Sequence, residues 1–457
     1  MDRVTDDRTD TATGGEARTG ARRTAGDDRS GSAGSGRARS VRRWWLAAAA
    51  MFGCGWGGNQ FTPLLLMYRH TGGYSEVTVD AFLAAYVVGL VPGLLVAGPL
   101  SDRHGRKPWM LAGTALSALA SAVLAVGVAG EAFIYAGRLL AGVGVGIAMA
   151  VGTSWMKELS QGPFDPEADA GTGARRASLS LTAGFGLGAG VAGVLAQWGP
   201  WPMVTPYAAH IAVALPALAG LARVPETRPR ACRAEGRAEG RIGARAGGRR
   251  SLRSDLRVPS AGHRRFLWVV VPMAPWVFGA AGIAYAVTPQ LVADRVGHWG
   301  LAYATLLTVL TLGAGVLVQP LAKRLGGRST AWPVLTAMAL MTAGMAVSAS
   351  NAAVRSPWLG AAGGVLLGAA YGIALVSGLL EVQRIATAED LAGLTGVYYA
   401  ITYTGFLVPA ALAALSAVTP YTVMLAVVAL LASGCLAVIA VGLRRHGSAA
   451  EPVCDPV

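Results

Sequence analysis

Apolar residues dominate this chain in long runs that are separated by short polar or glycine- and proline-containing breaks. A helix needs about 20 apolar residues to cross the roughly 30 Å hydrocarbon core of a bilayer, and these runs are about that long. The pattern predicts twelve membrane-spanning helices, at 44–68, 80–100, 108–129, 132–156, 177–198, 203–222, 266–291, 300–321, 330–350, 357–380, 392–417 and 420–443.

The polar stretches divide the chain into two sets of six helices. Residues 1–41 contain almost no large apolar side chain, so we expect a disordered cytoplasmic N-terminus. An arginine-rich stretch at 223–265 predicts a basic cytoplasmic linker between one six-helix bundle at 42–222 and a second at 266–445, and 446–457 forms a short cytoplasmic tail.

Composition supports a membrane protein. Of the 457 residues, 53% are hydrophobic and only 14% are charged, which excludes a soluble protein of this length. The four cysteines have no metal-ligand spacing, and no nucleophile triad or phosphate loop appears, so we expect neither a metal site nor an enzyme.

The net charge of +14 lies mostly on one side of the predicted membrane. The opposite loops carry only Arg69, Arg295 and Arg355. By the positive-inside rule both termini are cytoplasmic in a multi-pass protein of the cytoplasmic membrane. We expect the excess charge to meet anionic lipid headgroups rather than nucleic acid. The basic loops are at 29–43, 103–107, 175–176, 223–265, 323–328, 384 and 444–445.

Short matches between the two halves indicate an internal repeat. Thr62-Pro63 recurs as Thr288-Pro289, and the Gly-Ile-Ala that starts at Gly146 recurs at Gly372, both at a separation of 226 residues. Between them, GPLSDRHGRK at 98–107 aligns with QPLAKRLGGR at 319–328. Duplicated halves predict a site between two bundles that move against each other.

The loop between the second and third predicted helices carries the strongest motif, VAGPLSDRHGRK at 96–107. Gly98 is expected to let the second helix approach a neighbour closely, and Gly105 to permit the chain reversal. Asp102 lies at the cytoplasmic end of the second helix. The eleventh helix begins on that face near Leu391, so its N-terminal dipole predicts a latch with Asp102 worth roughly 0.3–1 kcal/mol.

This loop resembles the loop between helices 2 and 3 of the major facilitator superfamily, whose specified positions are filled by Gly98, Asp102, Arg103, Gly105, Arg106 and Lys107. The resemblance implies an all-α membrane fold of twelve helices, arranged as two pseudo-symmetric bundles around a central cavity, and transport by alternating access. It also implies a pair between Arg106 or Arg103 and the acidic residue at the end of helix 4, which is Glu158 here. The second copy has Lys323 where Asp102 stands, so the latch is expected to be one-sided.

Helix 4 carries a second motif, in which Arg138 is followed by glycines that include Gly142 and Gly146. It is similar to the family's arginine–glycine motif, and glycine faces allow close helix packing. An arginine inside a membrane helix needs water, a carbonyl or an anion. A role in proton control or substrate orientation and a purely structural pairing both remain open.

Two further segments point in different directions. GFGLGAGVAG at 184–193 resembles a proton-driven exporter motif, but Ala189 and Ala192 replace its proline and one of its glycines. The segment at 225–228, Pro-Glu-Thr-Arg, resembles a signature of sugar and other porters.

Polar side chains at mid-helix depth are the candidates for the substrate cavity, because each must find a partner or face water. They are Asn59, Gln60, Tyr285, Thr288, Tyr371, Ser377, Tyr399, Thr402 and Tyr403. Arg138, Glu381 and His210 are the candidates for coupling; for Glu381 an ion pair with Arg384 or Arg103 is the alternative, and for His210 a packed role.

These features predict a monomeric secondary transporter without a cofactor that exports a drug-like or amphipathic molecule, driven by the proton gradient. An importer or uniporter of a sugar or another metabolite remains an alternative. A membrane sensor or enzyme on the same scaffold is the alternative from a different class.

Overall fold

The computed structural model describes residues 43–169, 171–227, 258–328, 331–387 and 391–446. The expectations for residues 1–41, for most of the 223–265 linker and for the tail after residue 446 lie outside the described residues. The division into two bundles stays a prediction.

Helices make up nearly all of the described chain. We label the successive segments α1 to α12: α1 Trp44–Asn59 with its continuation Leu65–His70, α2 Glu76–His104, α3 Arg106–Ala125, α4 Glu131–Leu159, α5 Thr172–Trp198, α6 Thr205–Leu221, α7 Phe266–Leu291, α8 Gly300–Leu317 with its continuation Gln319–Arg328, α9 Ala331–Val354, α10 Pro357–Ile385, α11 Leu391–Thr404 with its continuation Leu407–Leu415, and α12 Tyr421–His446. Short turns of helix lie at Thr62–Leu64, Val126–Ala129, Pro259–Gly262, Ala293–Val296 and Gly297–Trp299.

The predicted fold class is confirmed. Ten helices of the described chain are long and apolar enough to cross a membrane, and α6 is a shorter apolar helix. The first segment is interrupted at Thr62–Leu64, where Pro63 has no N–H to donate to the preceding turn.

Capping residues explain why α2 is longer than its apolar run. The hydroxyl of Ser75 accepts a hydrogen bond from the N–H of Thr78 at 3.1 Å, so the helix begins at Glu76, before the predicted start at residue 80. It continues to His104 and ends at Gly105, whose φ of +97° favours glycine. The turn predicted at Gly105 is therefore confirmed.

Glycine contacts bring α2 and α4 together. A side chain at Gly142 would place its Cβ 2.0 Å from the carbonyl oxygen of Tyr86, and one at Gly146 would place it 2.5 Å from that of Leu90. The close approach predicted at Gly98 is wrong, because a Cβ there would meet only the Ala150 Cβ, at 4.0 Å. Backbone contact between these helices excludes side chains at the α4 glycines.

The corresponding glycine of the second repeat packs in the same way. A Cβ at Gly372 of α10 would lie 2.0 Å from the carbonyl oxygen of Gly315 in α8. Gly146 and Gly372 therefore hold equivalent helix crossings, α4 on α2 and α10 on α8, as their shared sequence position indicated.

Several helix pairs join the first six helices to the last six, and two of them have the most extensive contacts. α2 packs against α11, and α5 packs against α8. These pairs bring residues from both halves of the chain close to one another.

Candidate functional site

Arg106 is the centre of a charged cluster where α2, α3 and α4 meet. Its guanidinium lies 3.0 Å from Glu158 and 2.7 Å from Asp102, and it donates to the Ser101 hydroxyl at 2.7 Å. The side chain is buried, so the two carboxylates compensate a charge that has little water around it. Of the two arginines that the resemblance offered for Glu158, Arg106 occupies this position.

Glu226, which follows α6, caps the start of α3. One carboxylate oxygen accepts the backbone N–H of Arg106 at 3.0 Å, and the other accepts that of Lys107 at 3.1 Å. A carboxylate stabilises a helix N-terminus through the orphan N–H groups and the dipole. Next to it, Thr227 donates a hydrogen bond to Glu158. The porter-like segment is thus part of the charged cluster, a role that its sequence did not reveal.

The latch predicted for Asp102 involves the pair of α2 with α11. The eleventh helix does begin at Leu391, and farther along it a Cβ at Gly396 would lie 3.0 Å from Leu95 of α2. Asp102 is 48% exposed and forms its ion pair with Arg106. An interaction of Asp102 with the helix N-terminus stays a prediction, and the side chain of Lys323 lies outside the described part of the chain.

Arg138 lies at the centre of the first six helices. Only 1% of it is exposed, and its guanidinium carbon lies 4.5 Å from the ring centroid of Phe61 and 4.6 Å from that of Tyr86. It donates to the carbonyl oxygens of Phe82 at 3.2 Å and Gly58 at 3.3 Å. Among the described residues it has no carboxylate partner, so aromatic faces and carbonyl dipoles hold this charge.

An aromatic cluster joins the surroundings of Arg138 to the last six helices. The ring of Tyr403 in α11 lies 6.4 Å from that of Tyr86 and stacks on Phe278 at 4.3 Å. Phe406 stacks on Phe278 at 4.9 Å. Tyr285 lies 6.4 Å from Phe406, and Tyr371 lies 5.9 Å from Phe278. We call these six rings the central aromatic cluster.

Three predicted cavity residues, Tyr285, Tyr371 and Tyr403, therefore do meet between the halves. Tyr86, Phe278 and Phe406 were missed, because nothing in the sequence distinguishes them from ordinary core aromatics. In this conformation all six are largely buried and pack on one another, and Tyr403 donates a hydrogen bond to the sulfur of Met149 in α4 at 3.3 Å. Through the contact of Tyr86 with Tyr403, the cluster lies where α2 of the first half meets α11 of the second half.

Four of the remaining cavity candidates donate hydrogen bonds to backbone carbonyl groups. Thr288 donates to Ile283, Ser377 to Ile373 and Thr402 to Tyr399, in each case to a carbonyl oxygen of the same helical segment. Asn59 donates to the Phe185 carbonyl at 3.0 Å, and Tyr399 packs beside Tyr398. Of these residues, Tyr399 also packs against the hydrophobic cluster that contains Tyr285 and Tyr403.

His210 belongs to a buried hydrogen-bond chain. Its Nε2 lies 2.8 Å from the Gly53 carbonyl, and its Nδ1 lies 2.7 Å from the Ser121 hydroxyl, to which the amide of Gln60 donates at 2.7 Å. A neutral ring with its proton on Nε2 satisfies both of its nitrogens in this chain. The Gln60 Oε1 atom is buried without a hydrogen-bond partner in the described chain, and the roles of His210 in coupling and of Gln60 in the cavity stay predictions.

Glu381 forms ion pairs with arginines, and one of them is with Arg384, as the alternative to a coupling role predicted. The carboxylate is 1% exposed, binds Arg265 through two hydrogen bonds of 2.6 and 3.1 Å, and lies 3.1 Å from Arg384. Arg384 was one of the two proposed partners; Arg265 was not foreseen. Two guanidinium groups hold this buried charge near the predicted cytoplasmic end of α10.

Comparison with protein families identifies the family of this chain. The family model of the Major Facilitator Superfamily matches residues 44–414. The chain belongs to this superfamily. It is therefore a multi-pass membrane protein, and the charged cluster and the aromatic cluster are parts of a superfamily member.

Curated relatives match a smaller part of this chain than the family model does. The multidrug resistance protein MdtL of Shigella flexneri serotype 5b is 32% identical over 84 residues, which are 18% of this chain and 21% of MdtL. MdtL of Escherichia coli O9:H4 shows the same identity over the same shares. The chain thus matches about a fifth of the length of these relatives.

Solved structures resemble this chain over most of its length. A mutant form of the nucleoside transporter NupG has a TM-score of 0.67 at 11% identity, with 88% of this chain and 99% of NupG covered. The xylose transporter XylE from E. coli has a TM-score of 0.61 at 15% identity, with 90% and 98% covered. At these identities the likeness shows the fold.

At the predicted outer end, polar contacts hold the two halves of the chain together. Arg69 donates to Gln290 at 2.6 Å, and Tyr421 donates to Glu76. Gln197 of α5 donates to the His298 carbonyl at 3.1 Å and accepts the N–H of Ala302 at 2.9 Å. The structure is thus closed at the end that carries these loops.

Proposed function

We propose that the transporter exports an amphipathic, drug-like compound across the cytoplasmic membrane and that inward proton movement drives this export. The observation that carries the proposal is the position of Arg138, a buried cation without a carboxylate partner in the described chain, at the border of the central aromatic cluster. Phe61 and Tyr86 cover its two sides, and Tyr86 in turn meets Tyr403.

The chemistry of this region selects a type of compound. Aromatic faces bind apolar and aromatic groups, whereas a guanidinium that no carboxylate neutralises repels cations and favours an acidic or hydrogen-bond-accepting group. A neutral or weakly acidic aromatic compound suits both features. A multiply charged solute would lose its hydration without gaining partners.

Alternating access explains why the site is closed in this structure. The outer contacts at Arg69 and Tyr421 hold one end shut, and the rings of the central aromatic cluster pack on each other. When the halves separate, Tyr403 and Phe278 of the last six helices move away from Tyr86 of the first six. The compound then enters between them and meets Arg138.

Two observations support export as the direction of transport. The helix 5 stretch at 184–193 is similar to an exporter motif, and the MdtL match carries the description of a multidrug resistance protein. Transport of nucleosides, peptides or xylose is described for proteins that share the fold. Import of a metabolite is therefore the competing outcome of the test.

A panel of toxic compounds tests the proposal in a strain that lacks its own exporters. Expression of the transporter should lower the accumulation of neutral and weakly acidic aromatic compounds, and Arg138→Met should abolish the effect. A loss of tenfold or more is expected, because the contacts of Arg138 are worth about 1.4 kcal/mol or more. Higher accumulation on expression would establish import instead.

A further inference from the structure

Asp80 is a buried carboxyl group in the second turn of α2 that the charged and aromatic clusters do not use. Only 1% of the residue is exposed. Both carboxyl oxygens are buried and have no hydrogen-bond partner among the described residues. In an apolar site an ionised carboxylate without partners is several kcal/mol less stable than in water, whereas the neutral acid is tolerated.

The position of Asp80 connects it to the contacts that close the predicted outer end. It lies one helical turn after Glu76, so the two side chains share a face of α2. Glu76 accepts the hydrogen bond of Tyr421 from the last helix and lies 3.6 Å from Arg69, which in turn donates to Gln290. Two of the contacts between the halves thus lie directly beside the unpartnered acid.

The charged and titratable groups around Asp80 come from several elements. Glu76 of the same helix, Arg69 of the α1 continuation and Tyr421 of α12 act on it electrostatically. On α4, which packs against α2, Glu131 is exposed and Tyr135 contacts Phe82 at 4.7 Å between ring centroids. Arg69 is the cation among these groups, and here Gln290 and Glu76 engage it.

We propose that Asp80 is a proton-binding site that controls the opening of the outer end. With a proton bound, the neutral acid fits the dry site and the halves remain in contact. When the halves separate, Tyr421 leaves Glu76, Gln290 leaves Arg69, and water reaches the carboxyl group. The O–H bond of Asp80 then breaks, the proton goes to external water, and the carboxylate gains Arg69 as a neighbour.

The proposal predicts how the outer end responds to the external pH. Closing requires one proton from the outside, so acid outside favours the closed state and alkali favours the open state. Asp80 takes its proton from the outer side and returns it there, so the gate carries no proton across the membrane and does not itself drive the export proposed above. The proposed gate stands on the geometry alone.

The test measures conformation and needs no substrate. Spin labels at Thr71→Cys and Ala417→Cys, both exposed at the predicted outer end, report the separation of the halves in a background that keeps only the buried Cys54. Their distance distribution is recorded in lipid nanodiscs between pH 5 and pH 9. We expect the ratio of open to closed populations to rise with pH, by up to about tenfold per unit where a single group titrates.

Variants assign the response to one carboxyl group. Asp80→Asn, which mimics the protonated form, should keep the outer end closed with a ratio that changes less than about twofold over the same range, since nothing titrates there. Asp80→Leu, an apolar replacement for an apolar site, should do the same and serves if the asparagine variant does not fold. Glu131→Gln, an exposed acid at the same end, should respond like the unmodified protein.

Two results would overturn the proposal. One is a wild-type ratio that does not move with pH. The other is a pH response that both Asp80 variants retain, above all if Glu76→Gln abolishes it. A failure to detect export with a normal conformational response would reject the proposed function and leave the Asp80 gate standing.

Discussion

Glu226 accepts the backbone N–H groups of Arg106 and Lys107, at 3.0 and 3.1 Å. A residue just after α6 therefore caps the start of α3, about 120 positions earlier in the chain. The same segment reaches Glu158 through Thr227, so the end of the first six helices is attached to the motif loop between α2 and α3.

Substitution of Glu226 should weaken this attachment. Glu226→Gln keeps the shape but removes the charge that faces the helix N-terminus, and a loss of about 1 kcal/mol in stability is expected. Thermal unfolding of the purified protein measures it as a lower midpoint temperature. Asp169→Asn, a change at an exposed acid, is the matched control. Equal midpoint temperatures for the two variants would show that Glu226 does not stabilise the start of α3.

Gly142→Ala should disrupt the crossing of α2 and α4. The new Cβ would lie 2.0 Å from the Tyr86 carbonyl oxygen, so the helices must separate and lose contact along their length. We expect a loss of more than about 2 kcal/mol, which is the scale of overpacking in a close-packed core. Retention volume and thermal unfolding in detergent report it.

A second glycine variant controls for helix propensity. Gly186 lies in α5 and has nothing within 4 Å of its ideal Cβ position, so Gly186→Ala should be neutral or stabilising by about 0.5–1 kcal/mol. A folded, equally stable Gly142→Ala protein would mean that the close approach of α2 and α4 is not what this glycine provides.

The one-sided latch predicts unequal effects of two substitutions. Asp102→Asn removes a charge that favours a helix N-terminus, and a contact worth roughly 0.3–1 kcal/mol corresponds to about a two- to fivefold change in the conformational equilibrium. Lys323→Ala should change transport less, because a lysine does not make this contact. Initial transport rates of the two variants, normalised to the amount of folded protein, test it. Equal losses would speak against a latch at Asp102.

Much of the fold follows from the sequence because the bilayer constrains it. The length of each apolar run determines a helix, and Gly105 permits the tight turn that joins α2 to α3 without a linker. The pair with Glu158 is predicted from the resemblance to the superfamily loop, which offers Arg106 or Arg103, and the structure shows Arg106. Backbone hydrogen bonding inside lipid leaves few alternatives.

The rest depends on helix rotation and on contacts between distant parts of the chain. Gly98 fails as a contact point, whereas Gly89 of the same helix would place a Cβ 2.0 Å from the Leu139 carbonyl oxygen. Asp80 stands at the first position of the predicted helix 80–100, and only the packing around it buries its carboxyl group away from hydrogen-bond partners in the described chain. The stacking of Tyr403 on Phe278 likewise requires knowing which faces of α11 and α7 meet.

Proton-driven export is tested most directly in liposomes that contain the purified transporter and an acidic lumen. A fluorescent, weakly acidic aromatic probe should accumulate in the lumen by up to about tenfold per pH unit for one proton exchanged, and an ionophore that dissipates the gradient should abolish this. Liposomes with the Arg138→Met variant should show no accumulation. Probe movement that is equal with and without the gradient, or that persists in the Arg138→Met liposomes, would contradict the account.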